Sequence, residues 1–231
     1  MHKSKRKIMT SFIAEVTKQN CSIIAIQEPW QNIHMNTTYC SSSCGYWPAY
    51  PKQFWSCACF LVSKKIPLFS WSVNHHRPGF SSLVLRLESC IVHIYNIYFQ
   101  SSNAWIRVIC NSSIYKLLQL LNKFRKHILM RNFNLHHSAW GSFCCLAHHS
   151  MAENLLRIAE EADLQLLTFS EIITWEKGNQ LSTIDLIFCF LWLAQNMMSC
   201  IRNDRVENSL NYYSIFITFS LEIALQKTLL H

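Results

Sequence analysis

The sequence predicts a layered α+β domain in which two sheets pack face to face and helices cover their outer sides. Three observations lead there. Apolar runs of strand length, rich in Val, Ile, Tyr and Phe, recur along the chain. Three other segments space their apolar residues as one face of a helix. With half of 231 residues apolar, the chain has enough side-chain volume for one sizeable core. No internal repeat or low-complexity linker divides it, so a single domain over residues 1–231 is expected.

Taken in order, Ser11 to Gln19 carries Phe12, Ile13 and Val16 at helical spacing, and Cys21 to Ile26 is a continuous apolar run of strand type. Pro29 has no N–H for a central ladder, so Glu28 is placed at the carboxyl end of that strand, where open sheets carry their sites. Ala58 to Ser63, Ser82 to Glu88 and Cys90 to Tyr98 read as further strands, the last two as a hairpin. Ala104 to Lys126, with Trp105, Val108, Ile109, Ile114, Leu117 and Leu121, reads as an amphipathic helix covering a sheet. His127 to Met130 follows as a buried strand. Met151 to Asp163 is the second clear helix, with Leu155, Leu156, Ile158 and Ala159 opposite Glu153, Arg157, Glu160 and Glu161. Gln165 to Phe169, Ile184 to Phe190, Ser199 to Val206 and Ser214 to Ser220 complete the strands.

The formal charge of +8 and isoelectric point near 9.0 suit a polyanionic partner, because Lys and Arg gain affinity by displacing counterions from phosphates. The basic run Lys3, Lys5, Arg6, Lys7 has no apolar signal region after it, so an intracellular protein is expected, and the run is compatible with nuclear entry. The longest apolar stretch, Leu186 to Ala194, is about half of what a spanning helix requires, and no membrane segment is expected. Eleven cysteines without a Cys-x-x-Cys pair imply free thiols, with neither an internal framework nor a disulfide-linked partner. Cys144, Cys145, His148 and His149, with His136 and His137 upstream, fit no closed zinc spacing.

Three segments carry chemistry: Ile26-Gln-Glu-Pro-Trp30, Arg131-Asn-Phe-Asn-Leu-His-His137, and Ser182-Thr-Ile-Asp-Leu-Ile187. In this order and at these separations they resemble the motifs of the endonuclease/exonuclease/phosphatase superfamily, most closely the endonuclease domain of fungal non-LTR retrotransposons. The resemblance runs from about His2 to Ser220. It implies a four-layered α/β/β/α sandwich of the DNase I-like type and Mg²⁺-dependent cleavage of DNA, in which the ion polarises a phosphate while a His-Asp pair activates water. It also implies that the family's opening strand is missing and the domain truncated at its N-terminus.

Residue by residue, the resemblance assigns Glu28 as the metal-binding glutamate, a suitable ligand for a hard cation. Tyr98 matches the tyrosine beside the scissile phosphate. Asn134 matches an amide that donates to a phosphate oxygen. Asp185 matches a late-strand aspartate, and a carboxylate in so apolar a run would otherwise be costly. Other positions depart from the pattern. Asn132 stands where the family has the aspartate that polarises the attacking water. Asn211 and Tyr212 stand where it has Asp-His, and a phenol, with a pKa of about 10, is a poor base at neutral pH. Arg131 replaces a glycine where the backbone is expected to pass close to substrate.

The expectation is therefore an impaired or inactive nuclease domain, the alternative being a remnant that binds nucleic acid without cutting it. Gly to Arg131, Asp to Asn132, Ser to Leu210, Asp to Asn211, His to Tyr212 and Pro to Ser214 are each one C-to-T or G-to-A transition in a codon. Three Asp against sixteen Asn, and only four Gly and five Pro, lean the same way. The hypothesis is a retroelement copy altered by directional cytosine mutation. Alignment of its coding DNA with sibling copies should show transitions far outnumbering transversions, and parity between them would sink the idea.

Overall fold

The computed structural model of the chain describes residues 6–32, 34, 37–38, 44–53, 55–98, 117, 119–121, 126–133, 135–141, 150–170, 172–204 and 213–222. Helix α1 (Arg6–Lys18) leads into strand β1 (Ile23–Gln27), the short pair β2 (Gln31–Asn32) and β3 (Thr37–Thr38), then β4 (Tyr46–Ala49) and β5 (Ala58–Ser63). Next come β6 (Trp71–Arg77), β7 (Phe80–Arg86), β8 (Ile91–Tyr98), β9 (His127–Asn132) and helix α2 (Ser150–Glu161). The last part holds β10 (Leu164–Leu166), β11 (Trp175–Lys177), β12 (Gln180–Ser182), β13 (Asp185–Phe190), the short helix α3 (Leu191–Gln195), β14 (Met197–Asn203) and β15 (Ser214–Phe219).

Two sheets stack between the helices. One has the order β1-β5-β4, and the other is six-stranded, β10-β13-β9-β8-β7-β6, with β8 and β9 its parallel pair. Helix α1 buries Met9, Phe12, Ile13 and Val16, spaced i, i+3, i+4 and i+7, against Ile24, Ile26, Cys59 and Leu61 on the outer face of the small sheet. Phe60 and Val62 point the other way and meet Leu83, Leu85, Val92, Ile94, Ile128, Ile187 and Cys189 between the sheets. On the far side, Tyr95, Ile97, Leu129, Leu186 and Phe188 are covered by Ala152, Leu155, Ile158 and Ala159 of α2. Helix, sheet, sheet, helix is the four-layered arrangement that the motifs implied.

Each burial follows from strand parity, since alternate residues of β8, β9 and β13 serve the middle and the outer core in turn. The end of α1 is set by Asn20 at φ 56°, with Asn20 N–H donating to Thr17 O (3.1 Å) and Cys21 N–H to Val16 O (3.2 Å). This is a Schellman closure, which turns the chain sharply into β1.

Most boundaries agree with the sequence expectation within two or three residues, and the differences have causes. The first helix starts at Arg6 rather than Ser11 because Met9 extends the buried stripe. The strand expected from Ser82 starts at Phe80, because Ser81 is buried and donates to Ala58 O (2.9 Å) across the sheets. Strand β6, absent from the expectation, is a sheet edge without alternation; its His75 and His76 pair with Ser81 and Ser82. Residues 104–116 of the expected covering helix lie outside the described residues; Leu117 and Leu121, further along, are buried in the outer core. No described helix is long and apolar enough to cross a membrane.

Candidate active site

The two sheets bring the ends of four strands together. Tyr98 lies opposite Asn132, and Asn132 lies opposite Asp185, so these residues end three adjacent strands in one row. By parity all three project from the face that carries Ile94, Ile128, Met130 and Ile187, the face turned toward the small sheet. Glu28 comes from that other sheet, one residue beyond β1, and the Tyr98 hydroxyl donates to its Oε1 at 2.5 Å. Glu28, Tyr98, Asn132 and Asp185 thus share one end of the inter-sheet layer. Asn134, Asn211 and Tyr212 lie outside the described residues.

Glu28 has φ 50°, in the left-handed region that a side chain with a Cβ rarely adopts. Such a conformation costs on the order of 1–3 kcal/mol and persists only where neighbours hold it. Here the Glu28 N–H donates to Cys57 O (2.8 Å) and Pro29 is buried behind it. Cys57 N–H in turn donates to Pro78 O, and the next residue, Gly79, accepts from Tyr98 N–H (2.8 Å). Only glycine fits at position 79, since an added Cβ would collide with the Tyr98 carbonyl oxygen. One turn therefore fixes both the glutamate loop and the tyrosine strand.

Asp185 is held through its backbone, with Thr174 Oγ1 accepting both Ile184 N–H (2.9 Å) and Asp185 N–H (3.0 Å). Its Oδ2 is buried and has no hydrogen-bond partner among the described residues. Burial raises the carboxyl to a pKa of about 7, although hydrogen bonds from Thr174 and Asn132 oppose the shift. A carboxyl shifted this far by burial is a feature that functional sites often share.

Two further polar residues belong to this end, and the sequence motifs had not singled them out. Gln27 donates to Asn96 Oδ1 (3.2 Å) and Ile97 O (3.1 Å), while its Oε1 accepts Asn132 N–H (3.2 Å). Asn96 donates to Ile26 O (3.0 Å) and Cys59 O (2.9 Å). The available signal was an amide amid strand runs: Asn96 is fully buried between His93-Ile-Tyr95 and Ile97.

The structure also places Arg131, His136 and His137. Arg131 does not face the site. It alternates with Asn132 onto the α2 side, buried, with its guanidinium carbon 4.1 Å from the centre of the Phe133 ring. His137 is structural: its Nδ1 accepts Ala139 N–H (3.0 Å), its Nε2 meets Glu153 Oε1 (2.9 Å), and its ring packs on Trp140. His136 touches Ser182 Oγ (3.2 Å). Cys144, Cys145, His148 and His149 lie outside the described residues.

No three His, Cys, Asp or Glu side chains among the described residues gather as a closed metal cage. A hard divalent cation held by one or two carboxylates, with water and phosphate oxygens completing its shell, needs no such cage. The donor chemistry of Glu28 fits that kind of ion.

The family model of endonuclease/exonuclease/phosphatase proteins described as endonuclease-reverse transcriptase matches residues 92–209, just over half of the chain. The chain belongs to the endonuclease/exonuclease/phosphatase superfamily. The matched family model is that of endonuclease-reverse transcriptase proteins, and the solved structures share its fold. The endonuclease domain of TRAS1, a telomere-specific non-LTR retrotransposon, superposes with a TM-score of 0.68 at 16% identity, covering 96% of this chain and 95% of that one. The 3′ phosphatase NExo from Neisseria, bound to a product DNA hairpin, gives 0.70 at 12% identity over 95% and 96%. The AP endonuclease LMAP from Leishmania major gives 0.69 at 9% identity over 95% and 84%. At such identities the likeness is one of fold. No curated protein matches the sequence. Nucleases of the endonuclease/exonuclease/phosphatase superfamily generally use a divalent metal.

Proposed function

We propose that this chain is the DNA endonuclease domain of a retrotransposon, built for Mg²⁺-dependent phosphodiester hydrolysis and strongly impaired in that chemistry. The observation that carries the reading is the row Tyr98, Asn132, Asp185 set against Glu28, with an amide in the middle. Glu28 would hold the ion, which supplies charge to polarise the phosphate. Tyr98 orients the Glu28 carboxylate and lies beside the phosphate. Asn132 can orient a water through its amide, yet it has neither the negative charge nor the proton affinity to draw a proton from it. Tyr212, where the family has histidine, adds no base at neutral pH. The DNA-bound relative and the charge of +8 support a nucleic-acid substrate.

Incubation of the full chain with supercoiled plasmid and Mg²⁺ or Mn²⁺, beside Glu28→Ala, tests this. Nicking is expected at most at a level about 10²–10⁴-fold below that of an intact nuclease of the superfamily, as for loss of a positioned base, together with a salt-dependent gel shift. Nicking near the intact level and abolished by Glu28→Ala would overturn the impairment. Absence of any DNA binding at low salt would overturn the substrate.

A further inference from the structure

The two sheets meet mainly through apolar side chains, which attract without fixing direction. Nothing in such an interface sets how far β1 slides along β9, yet that offset fixes where Glu28 stands relative to Asn132 and Asp185. Ser81, Asn96 and Tyr98 also bridge the sheets, but Gln27 is the bridging side chain that comes from β1 itself. It adjoins Glu28 in the chain and makes three hydrogen bonds to two strands of the six-stranded sheet: Asn96 Oδ1 and Ile97 O on β8, and the Asn132 N–H on β9. Asn96 returns the tie by donating to Ile26 O and Cys59 O of the small sheet. Hydrogen bonds of this kind have a preferred length and angle, so they set a register that packing leaves loose. The left-handed backbone at Glu28, directly after Gln27, means that a shift of β1 would be passed on to the carboxylate.

We propose that Gln27 is a positioning residue that fixes the glutamate half of the site against the Asn132–Asp185 half, with Asn96 as its anchor. The metal-affinity part of this inference rests on the reading of Glu28 as the cation ligand; the register part does not.

The test compares Gln27→Met, which keeps length and removes all three bonds, with Val62→Ala, which weakens the same core at the far end of β1 opposite Ile23. Two quantities are measured on the full chain: Mn²⁺ affinity by calorimetry or electron paramagnetic resonance, and hydrogen exchange of the Asn132 amide by NMR. Gln27→Met is expected to weaken Mn²⁺ binding about tenfold or more and to speed Asn132 exchange at least tenfold relative to global unfolding, whereas Val62→Ala leaves both within about twofold on the same scale. Equal effects of the two variants would reduce Gln27 to an ordinary structural residue and overturn the proposal. If the wild-type chain takes up no Mn²⁺, the metal reading of Glu28 fails, and Asn132 exchange alone decides the register claim. Should Gln27→Met not fold, Gln27→Glu keeps the acceptor for the Asn132 N–H and loses both donors. Its Asn132 exchange should then still speed up at least tenfold relative to global unfolding, and exchange within about threefold of wild type would show that the bonds to Asn96 and Ile97 fix no register and overturn the proposal.

Discussion

Converting Asn132→Asp, Asn211→Asp and Tyr212→His together is expected to restore Mg²⁺-dependent plasmid nicking, raising the rate by about 10²–10⁴-fold or more over the natural chain. The size follows from returning a base whose pKa lies near neutrality and the carboxylates that orient it. The geometry also says why the single change Asn132→Asp should achieve much less. Residue 132 lies directly opposite Asp185, whose carboxyl already titrates near 7 through burial. A second carboxylate there would share a proton with the first, because two like charges so close cannot both ionise readily. A cation bound at Glu28 would favour their ionised forms. Residues that act as one unit do not contribute additively, so the triple variant should exceed the product of the single effects. A folded triple variant that binds DNA and leaves the plasmid intact would show that the defect lies elsewhere in the site.

Asp185→Asn is expected to stabilise the chain at alkaline pH. The folded state raises this carboxyl from 3.8 to about 7, so the fold prefers the protonated form. The stability that protonation confers is complete below pH 4, declines between about 4 and 7, and is gone above that. By linkage the decline amounts to about 4 kcal/mol at most. The asparagine variant should match the wild type at pH 4 and exceed it at pH 8, as urea unfolding at a series of pH values would record. His75 and His93, both lowered to about 4 by burial, oppose this trend, since their contribution is lost as pH falls. The difference between variant and wild type cancels them. A difference independent of pH would mean that Asp185 is ionised throughout and that its burial is relieved by water or by an ion.

Much of this architecture was legible in the residues. The stripe Phe12, Ile13, Val16, the run Ala58–Ser63 and the alternation in β8 specify helix and strands by spacing alone, because burial of these faces outweighs local propensity. The position of Glu28 followed from Pro29, which stops the ladder one residue beyond it. Less legible was anything decided between distant segments. Strand β6 has no alternation because it forms an edge whose polar side chains find partners across the ladder. The roles of Gln27 and Asn96 depend on partners carried by the opposite sheet. The facing of Arg131 was open in the same way. Its strand neighbour Asn132 belongs to the site, and only the pairing with β13 shows which face each of them takes.

That parity has a wider consequence. Residues 131 and 132 are bonded neighbours and both buried, yet one faces helix α2 and the other faces the layer between the sheets. Under the proposed reading, a change at the first acts on the outer core and a change at the second on the polar cluster between the sheets. A lineage can therefore shed its reactivity one position at a time while the scaffold goes on folding, and an engineer could travel the same road in reverse, repairing the cleft without disturbing the shell.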